Sequence, residues 1–290
     1  MNNYSAIKYA AVCLSLSVAA SCSTWAPSPS PEMDMNLDRY DLKGDVASVR
    51  NIVYDVDSSE DGYVASSVAA STSNIYLEFD DNGRVTFMER FNKSGEPVSE
   101  MRIQYGSNGR VSDSKLVSAD GKILESSVYK YRRGGRLQSM TVKDGNDSLK
   151  KHEEYDYFGR DSIKALFTFK EGEEPSGYRI MKYDSEGRNT EAVTYSSKGK
   201  QFSEFVIRYD SLGRRKSVDS KSLLFGSMVT EMDYNEDGFC SGMRFSGENR
   251  PEMQVRFTFK TDSCGNWTEK VTYHDDVPTK LEKREITYRR

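Results

Sequence analysis

Apolar side chains fall on every second position in the segments that precede a set of recurring glycine turns. In "NIYLEF" they are Ile75, Leu77 and Phe79. In "EMRIQY" they are Met101, Ile103 and Tyr105, with Arg102 and Gln104 between them. "EFVIRY" offers Phe205, Ile207 and Tyr209, and "QVRFTF" offers Val255, Phe257 and Phe259. A period of two predicts antiparallel strands with one buried and one wet face. Helical spacing is not visible after the leader.

The turns between these segments are relatives of one another: "FDDNGR" (79–84), "YDYFGR" (155–160), "YDSEGR" (183–188) and "YDSLGR" (209–214). Aligning their glycines gives Gly83, Gly109, Gly135, Gly159, Gly187, Gly213, Gly238 and Gly265, at spacings of 26, 26, 24, 28, 26, 25 and 27. An aromatic stands four residues before the glycine in seven copies, Tyr155 serving in the fourth, and Arg follows it in six. A weaker glycine turn lies between six of the seven successive pairs, as in "KSGE" (93–96) and "SKGK" (197–200). Each unit of about 26 residues is therefore two strands and two turns, too short for a four-stranded propeller blade. In "YDSEGR", Asp184 suits an Asx turn, Gly187 supplies positive φ, and Arg188 can reach Asp184 or lie over a neighbouring Tyr. A motif that recurs along the whole chain is architecture rather than a single site. The expected fold is all-β: an extended antiparallel meander, an open repeat sheet of about 16 strands. A closed outer-membrane barrel has a similar strand count, but "GRRKSVDSK" (213–221) is polar on both faces, whereas a lipid-facing wall needs a continuous apolar band.

The first residues are set aside from the fold. Lys8 precedes an apolar stretch, "AAVCLSLSVAA" (10–20), of signal-peptide length. It ends in "AASC" (19–22), which resembles the lipobox of bacterial lipoproteins and implies lipidation at Cys22. Residues 1–21 are read as the signal peptide, 22–40 as the lipidated Cys with a Pro/Ser tether, and 41–290 as one repeat domain. Pro27, Pro29 and Pro31 favour extended backbone in the tether. The stretch 55–73 reads as a long first hairpin or a loop.

Composition narrows the function. Loss of one Lys with the leader leaves 40 basic and 45 acidic residues, net −5, so nucleic acid is not an expected partner. "YKYRRGGR" (129–136) is the main basic stretch and reads as a solvated face. Cys240 and Cys264 occupy different repeat positions and read as free buried thiols. His152 and His274 are too few for a His-based metal site, and no phosphate loop, metal spacing or Ser–His–Asp set appears. No catalytic residue, metal or cofactor is expected. Carboxylates in "HEEYD" (152–156) offer a weak enzyme reading, and exposed Trp267, Tyr178 and Tyr195 would favour glycan binding.

The "YDxxGR" corners resemble the YD repeats of RHS-type proteins, although those repeats are shorter. The opening "LKGDVASV" (42–49) and the closing "GNWTEKVTYHDDVPTKLEKREITY" (265–288) resemble RHS/YD-repeat-like lipoproteins of Gram-negative envelopes, over residues 41–290. The resemblance implies a Gram-negative envelope lipoprotein with no established enzymatic activity. The tether, the repeat and the lack of a unique constellation add the expectation of an outer-membrane lipid anchor and an unidentified protein or polysaccharide partner. The absence of an acidic cluster after Cys22 favours the periplasmic side. Open sheet edges would allow self-association.

Overall fold

The computed structural model describes residues 35–59, 62–248 and 250–290; the leader, Cys22 and most of the tether lie outside them. One short 3-10 helix, Leu37–Tyr40, is followed by nineteen strands in a single antiparallel sheet. The sixteen strands of the repeat are β3 (Ile75–Phe79) to β18 (Trp267–His274). Three more lie outside it: β1 (Val46–Ser59), β2 (Gly62–Val68) and β19 (Val277–Tyr288).

Those three strands correct the expected fold. β1 pairs with β19 over Val46–Asp55 and with β3 over Ser48–Asn51, so first and last strands meet and the sheet closes. The fold is a closed barrel of 18 strands, not an open meander of about sixteen. β2 adds no strand to the ring. It continues β3's lane along β1, pairing Tyr54↔Val68 where β3 pairs Asn51↔Ile75. The stretch 55–73 is thus largely a hairpin. At the step between β2 and β3 the ladder is replaced by side chains. Asn74, fully buried, accepts from the Val53 N–H at 2.8 Å and donates to the Ala69 carbonyl at 2.8 Å. Asn51 donates to the Ser73 carbonyl at 2.7 Å.

All eight turn glycines have positive φ, from 66° to 89°, a region that costs an L residue steric strain. At Gly187 the turn closes through Gly187 N–H to the Asp184 carbonyl and Asp184 N–H to the Arg188 carbonyl, both 3.0 Å. These eight turns form one rim of the barrel, the weaker turns the other. Both the start of β1 and the end of β19 lie at the first rim, because β1 begins opposite the end of β3.

Cross-strand pairing keeps each alternating set on one face right round the ring. One face carries Val49, Leu77, Met88, Ile103, Tyr155, Ile163, Met181, Met243 and Val255, all buried. Its charged residues are sheltered too: Glu153 is 8% exposed, Glu282 15% and Lys270 23%, whereas Lys182 and Lys260 on the other face are 55% and 70% exposed. Side chains converge on a concave face and splay on a convex one, which marks the apolar set as the inner lining. The buried clusters each join neighbouring strands, one around Val49, Leu77 and Met88, one around Leu137, Tyr155 and Ile163, one around Cys240 and Met243. The core is a lining, as expected of a ring too wide for side chains to fill if round. Met35 and Leu42 join the first cluster, so the folded body begins before residue 41 and the tether is shorter than the sequence implied. Cys240 is buried as expected, Cys264 is exposed, and both are free.

Candidate functional site

The recurring motif builds a ladder along the first rim. Asp184 Oδ1 accepts from the N–H groups of Glu186 at 3.1 Å and Arg188 at 2.8 Å, the Asx geometry the sequence predicts. Its other oxygen takes Arg188 Nε at 2.7 Å, and the same guanidinium lies 4.7 Å from the centre of the Tyr209 ring, in the next repeat. Both alternatives read from the sequence thus occur together. Asp80–Arg84–Tyr105 and Asp210–Arg214–Tyr234 repeat the arrangement, with guanidinium-to-ring distances of 4.5 and 4.4 Å. Several ladder tyrosines also donate to a carbonyl in the preceding repeat: Tyr105 to Val85 and Tyr131 to Val111 at 2.8 Å, Tyr209 to Asn189 at 2.7 Å; Tyr183 donates to the Met181 sulfur instead. Hydrogen bonds with Arg188 as donor and the nearby Asp184 carboxylate raise the Arg188 pKa. Burial raises Asp210, but its bonds from Arg214 and Leu212 outweigh that and hold the carboxyl below its usual range.

One copy departs from the sequence alignment. In "YDYFGR" β9 (Leu149–Phe158) runs on to Phe158, and Tyr157 takes the ladder position, donating to the Leu137 carbonyl at 3.0 Å under Arg136. Tyr155, on the same inner face but one pair deeper in the barrel, donates to Glu153 at 2.5 Å. Burial first, then the Glu153 charge, raises its pKa. Burial also opposes ionisation of Glu153, yet Lys151, 2.7 Å away, and the Tyr155 hydroxyl hold that carboxyl below its usual range.

The carboxylates of "HEEYD" do not assemble. Glu153 faces inward, while Glu154 faces outward beside His152, 3.4 Å from its Nε2. The aromatics considered for glycan stacking separate as well. Trp267 is buried on the inner face; Tyr178 and Tyr195 stack across β11 (Gly177–Tyr183) and β12 (Asn189–Ser196) on the outer face, rings 4.9 Å apart and 20° from parallel. Lys164 lies over Tyr178 at 4.5 Å. Among the described residues no group of three His, Cys, Asp or Glu is placed to hold a metal ion.

A second cluster, which sequence reasoning missed, lies at the closing seam. Arg284 lies over the Trp267 ring at 3.4 Å, and its Nε and Nη1 atoms are buried with no hydrogen-bond partner. Burial draws its pKa down to about 10. Asp41 is nearby, and burial pushes its carboxyl up to about 6 against the opposing pull of Arg284, Lys270 and Lys43. Lys270 pairs with Glu282 across β18 and β19. Below them Asn266, fully buried, accepts from Lys43 N–H at 2.6 Å and donates to the Lys43 carbonyl at 2.8 Å and the Tyr288 hydroxyl at 2.6 Å. This stitches the two ends of the body together. The outer side of the seam holds a shallow cavity of about 200 Å³, edged by Arg50, Tyr54, Glu269, Lys283 and Glu285, too evenly mixed in charge to define a ligand.

The outer wall carries charge in most of its strands, much of it paired: Lys182–Glu191 at 3.0 Å, Arg208–Asp219 at 2.8 Å, Arg244–Glu231 at 3.3 Å, Lys260–Glu269 at 2.9 Å. Among the described residues these charges interrupt the apolar positions of the outer face in most strands. The fold and its surface define the class: a closed, repeat-built β-barrel with an apolar lining and a charged wall.

No protein-family model matches the chain, and no curated protein matches it. Among solved structures, a porin-like protein from Bacteroides uniformis is similar at 11% identity and TM-score 0.44, covering 83% of this chain and 98% of that one. A porin-like protein from Bacteroides vulgatus gives 14% identity and TM-score 0.31, covering 84% and 98%. The TcdB2-TccC3-Cdc42 structure gives 10% identity and TM-score 0.31, covering 83% of this chain but 17% of that one. At these values the likenesses assign no family; the barrel is read from the strand pairing alone.

Proposed function

We propose that the protein is a non-catalytic envelope lipoprotein, held at the outer membrane by lipid on Cys22, whose barrel stands clear of the bilayer and presents its wall to a protein or polymer partner. The observation that carries this reading is the outer wall. Its paired charges belong in water, so membrane attachment falls to the N-terminal lipid rather than to the strands. The chain also reaches the body at one rim, which suits a barrel standing on its anchor. The periplasmic side of the membrane is the proposed location, and the resemblance to RHS/YD-repeat-like lipoproteins agrees with it. Fractionation tests the reading. The wild-type chain should sediment with outer membranes and be freed by detergent, while Cys22→Ala should appear in the soluble periplasmic fraction. A Cys22→Ala chain that stays in the membrane through alkaline extraction would overturn it.

A second reading, glycan binding, draws on the outward Tyr178–Tyr195 stack with Lys164 beside it. Aromatic planes of this kind stack on sugar rings, although cross-strand packing also accounts for them. Loss of polysaccharide retention in Tyr178→Ala, with the fold intact, would favour it.

A further inference from the structure

Two of the eight rim turns differ from the rest. Residues 106–110, "GSNGR", and 132–136, "RRGGR", contain no acid, whereas each of the other six holds at least one. The ring places these two turns side by side, because β5 to β8 (Pro97–Tyr105, Val111–Ser118, Ile123–Tyr131, Leu137–Asp144) pair in sequence. Arg110 lies over Tyr131 at 5.8 Å and Arg136 over Tyr157 at 4.9 Å, so the ladder holds both at the rim without a carboxylate of their own turn. Arg132 bonds the Tyr155 carbonyl at 2.7 Å and Asp156 at 3.1 Å, yet its side chain is 46% exposed. Arg133 is exposed, as is Lys130 on the adjoining wall. Arg110, Lys130, Arg132, Arg133 and Arg136 thus share a short arc, in which Asp156 pairs with Arg132.

The start of the folded chain lies beside this arc. Val85 N–H bonds the Met35 carbonyl at 2.8 Å, and Leu37 N–H bonds that of Gly83 at 3.0 Å, which seats residues 35–37 on the turn 80–84. That turn touches the next, since Arg84 Nη1 donates to the Gly109 carbonyl at 3.1 Å and Tyr105 reaches the Met35 carbonyl at 3.4 Å. Cys22 lies 13 residues before Met35, a span of at most ~45 Å. We infer that this arginine arc is a docking surface for anionic lipid headgroups, which seats the barrel rim-down on the membrane that holds its anchor. The inference rests on the anchored reading above and deepens it. A basic cluster near an anionic bilayer surface gains about 1 kcal/mol per Lys or Arg, so the arc sets the orientation of a barrel already tethered beside it. The barrel's overall acidity does not oppose this, because such attraction acts within about a Debye length of the surface.

The test uses a chain beginning at Ser23, which carries no leader or lipid and keeps every described residue. Co-sedimentation is measured with vesicles of phosphatidylcholine alone and of phosphatidylcholine with phosphatidylglycerol. Binding should require the anionic lipid and decline with salt. Lys130→Glu with Arg133→Glu, neither residue part of the ladder, should weaken it by about tenfold or more. Lys198→Glu with Lys200→Glu, the same change in net charge at the opposite rim, should leave it within about twofold. No binding to anionic vesicles at low salt, or equal loss in both double variants, would overturn the inference. Because no lipid is attached, the result is independent of acylation at Cys22, which the fractionation experiment tests separately.

Discussion

At the scale of single residues, the repeat motif does three jobs with one arginine. Arg188 neutralises Asp184, covers Tyr209 and opens the next strand. Because the side chain is sheltered, Arg188→Ala should cost about 1–2 kcal/mol, measured by denaturant unfolding. Arg188→Lys should recover only part of that, since an ammonium cannot both stack and pair edge-on. Tyr209→Phe isolates the hydroxyl bond to Asn189 and should cost about 1 kcal/mol. Asp41 gives a pH signature of opposite sense to most carboxylates. Its folded pKa, about 6, lies above the ordinary 3.8, so the folded state holds the proton more tightly than the unfolded one. Its contribution therefore favours folding at low pH and is lost as pH rises from about 4 to about 6. Asp41→Asn should flatten that part of the stability profile and stabilise the protein at pH 7 by something of the order of 2 kcal/mol.

At the scale of elements, the decisive features are the places where the repeat stops. The step between β2 and β3 leaves backbone groups that Asn74 must satisfy. Asn74→Ala should cost about 2–4 kcal/mol by stranding the Val53 N–H and the Ala69 carbonyl, whereas Asn92→Ala in an exposed turn should cost under about 1. Thermal unfolding of the two variants side by side checks this. The strand periods and the turn glycines were legible because each repeats a local rule: alternation for the strands, positive φ at the corners. Tyr157 was missed because counting back from Gly159 assumes a turn of constant length, and β9 runs three residues past Tyr155 there.

At the scale of the molecule, closure removes the sheet edges on which self-association was expected to depend. Among the described strands only β2 has a single partner. That leaves one sheet-edge route, so any concentration-dependent dimer seen by analytical ultracentrifugation should vanish in Val64→Lys. A dimer that survives the change uses another surface. The surface candidates were legible to different degrees. The basic stretch at 129–136 could be read directly from the sequence, but its neighbourhood with Arg110 and Met35 could not. The separation of Trp267 from Tyr178 and Tyr195 likewise depended on which face each residue occupies after every bulge between them.

The amino-acid sequence by itself determined the period, the strand faces and the corners, because these follow from interactions spanning a few residues. It could not decide whether the sheet's ends meet. The repeat makes all interior strands alike, and only curvature summed over the ring brings β1 beside β19, where two segments outside the repeat complete the pairing. The inner and outer faces, the stitch at Asn266 and the arginine arc all follow from that closure. Tertiary structure decided them because the residues joined at the seam lie as many as 244 positions apart.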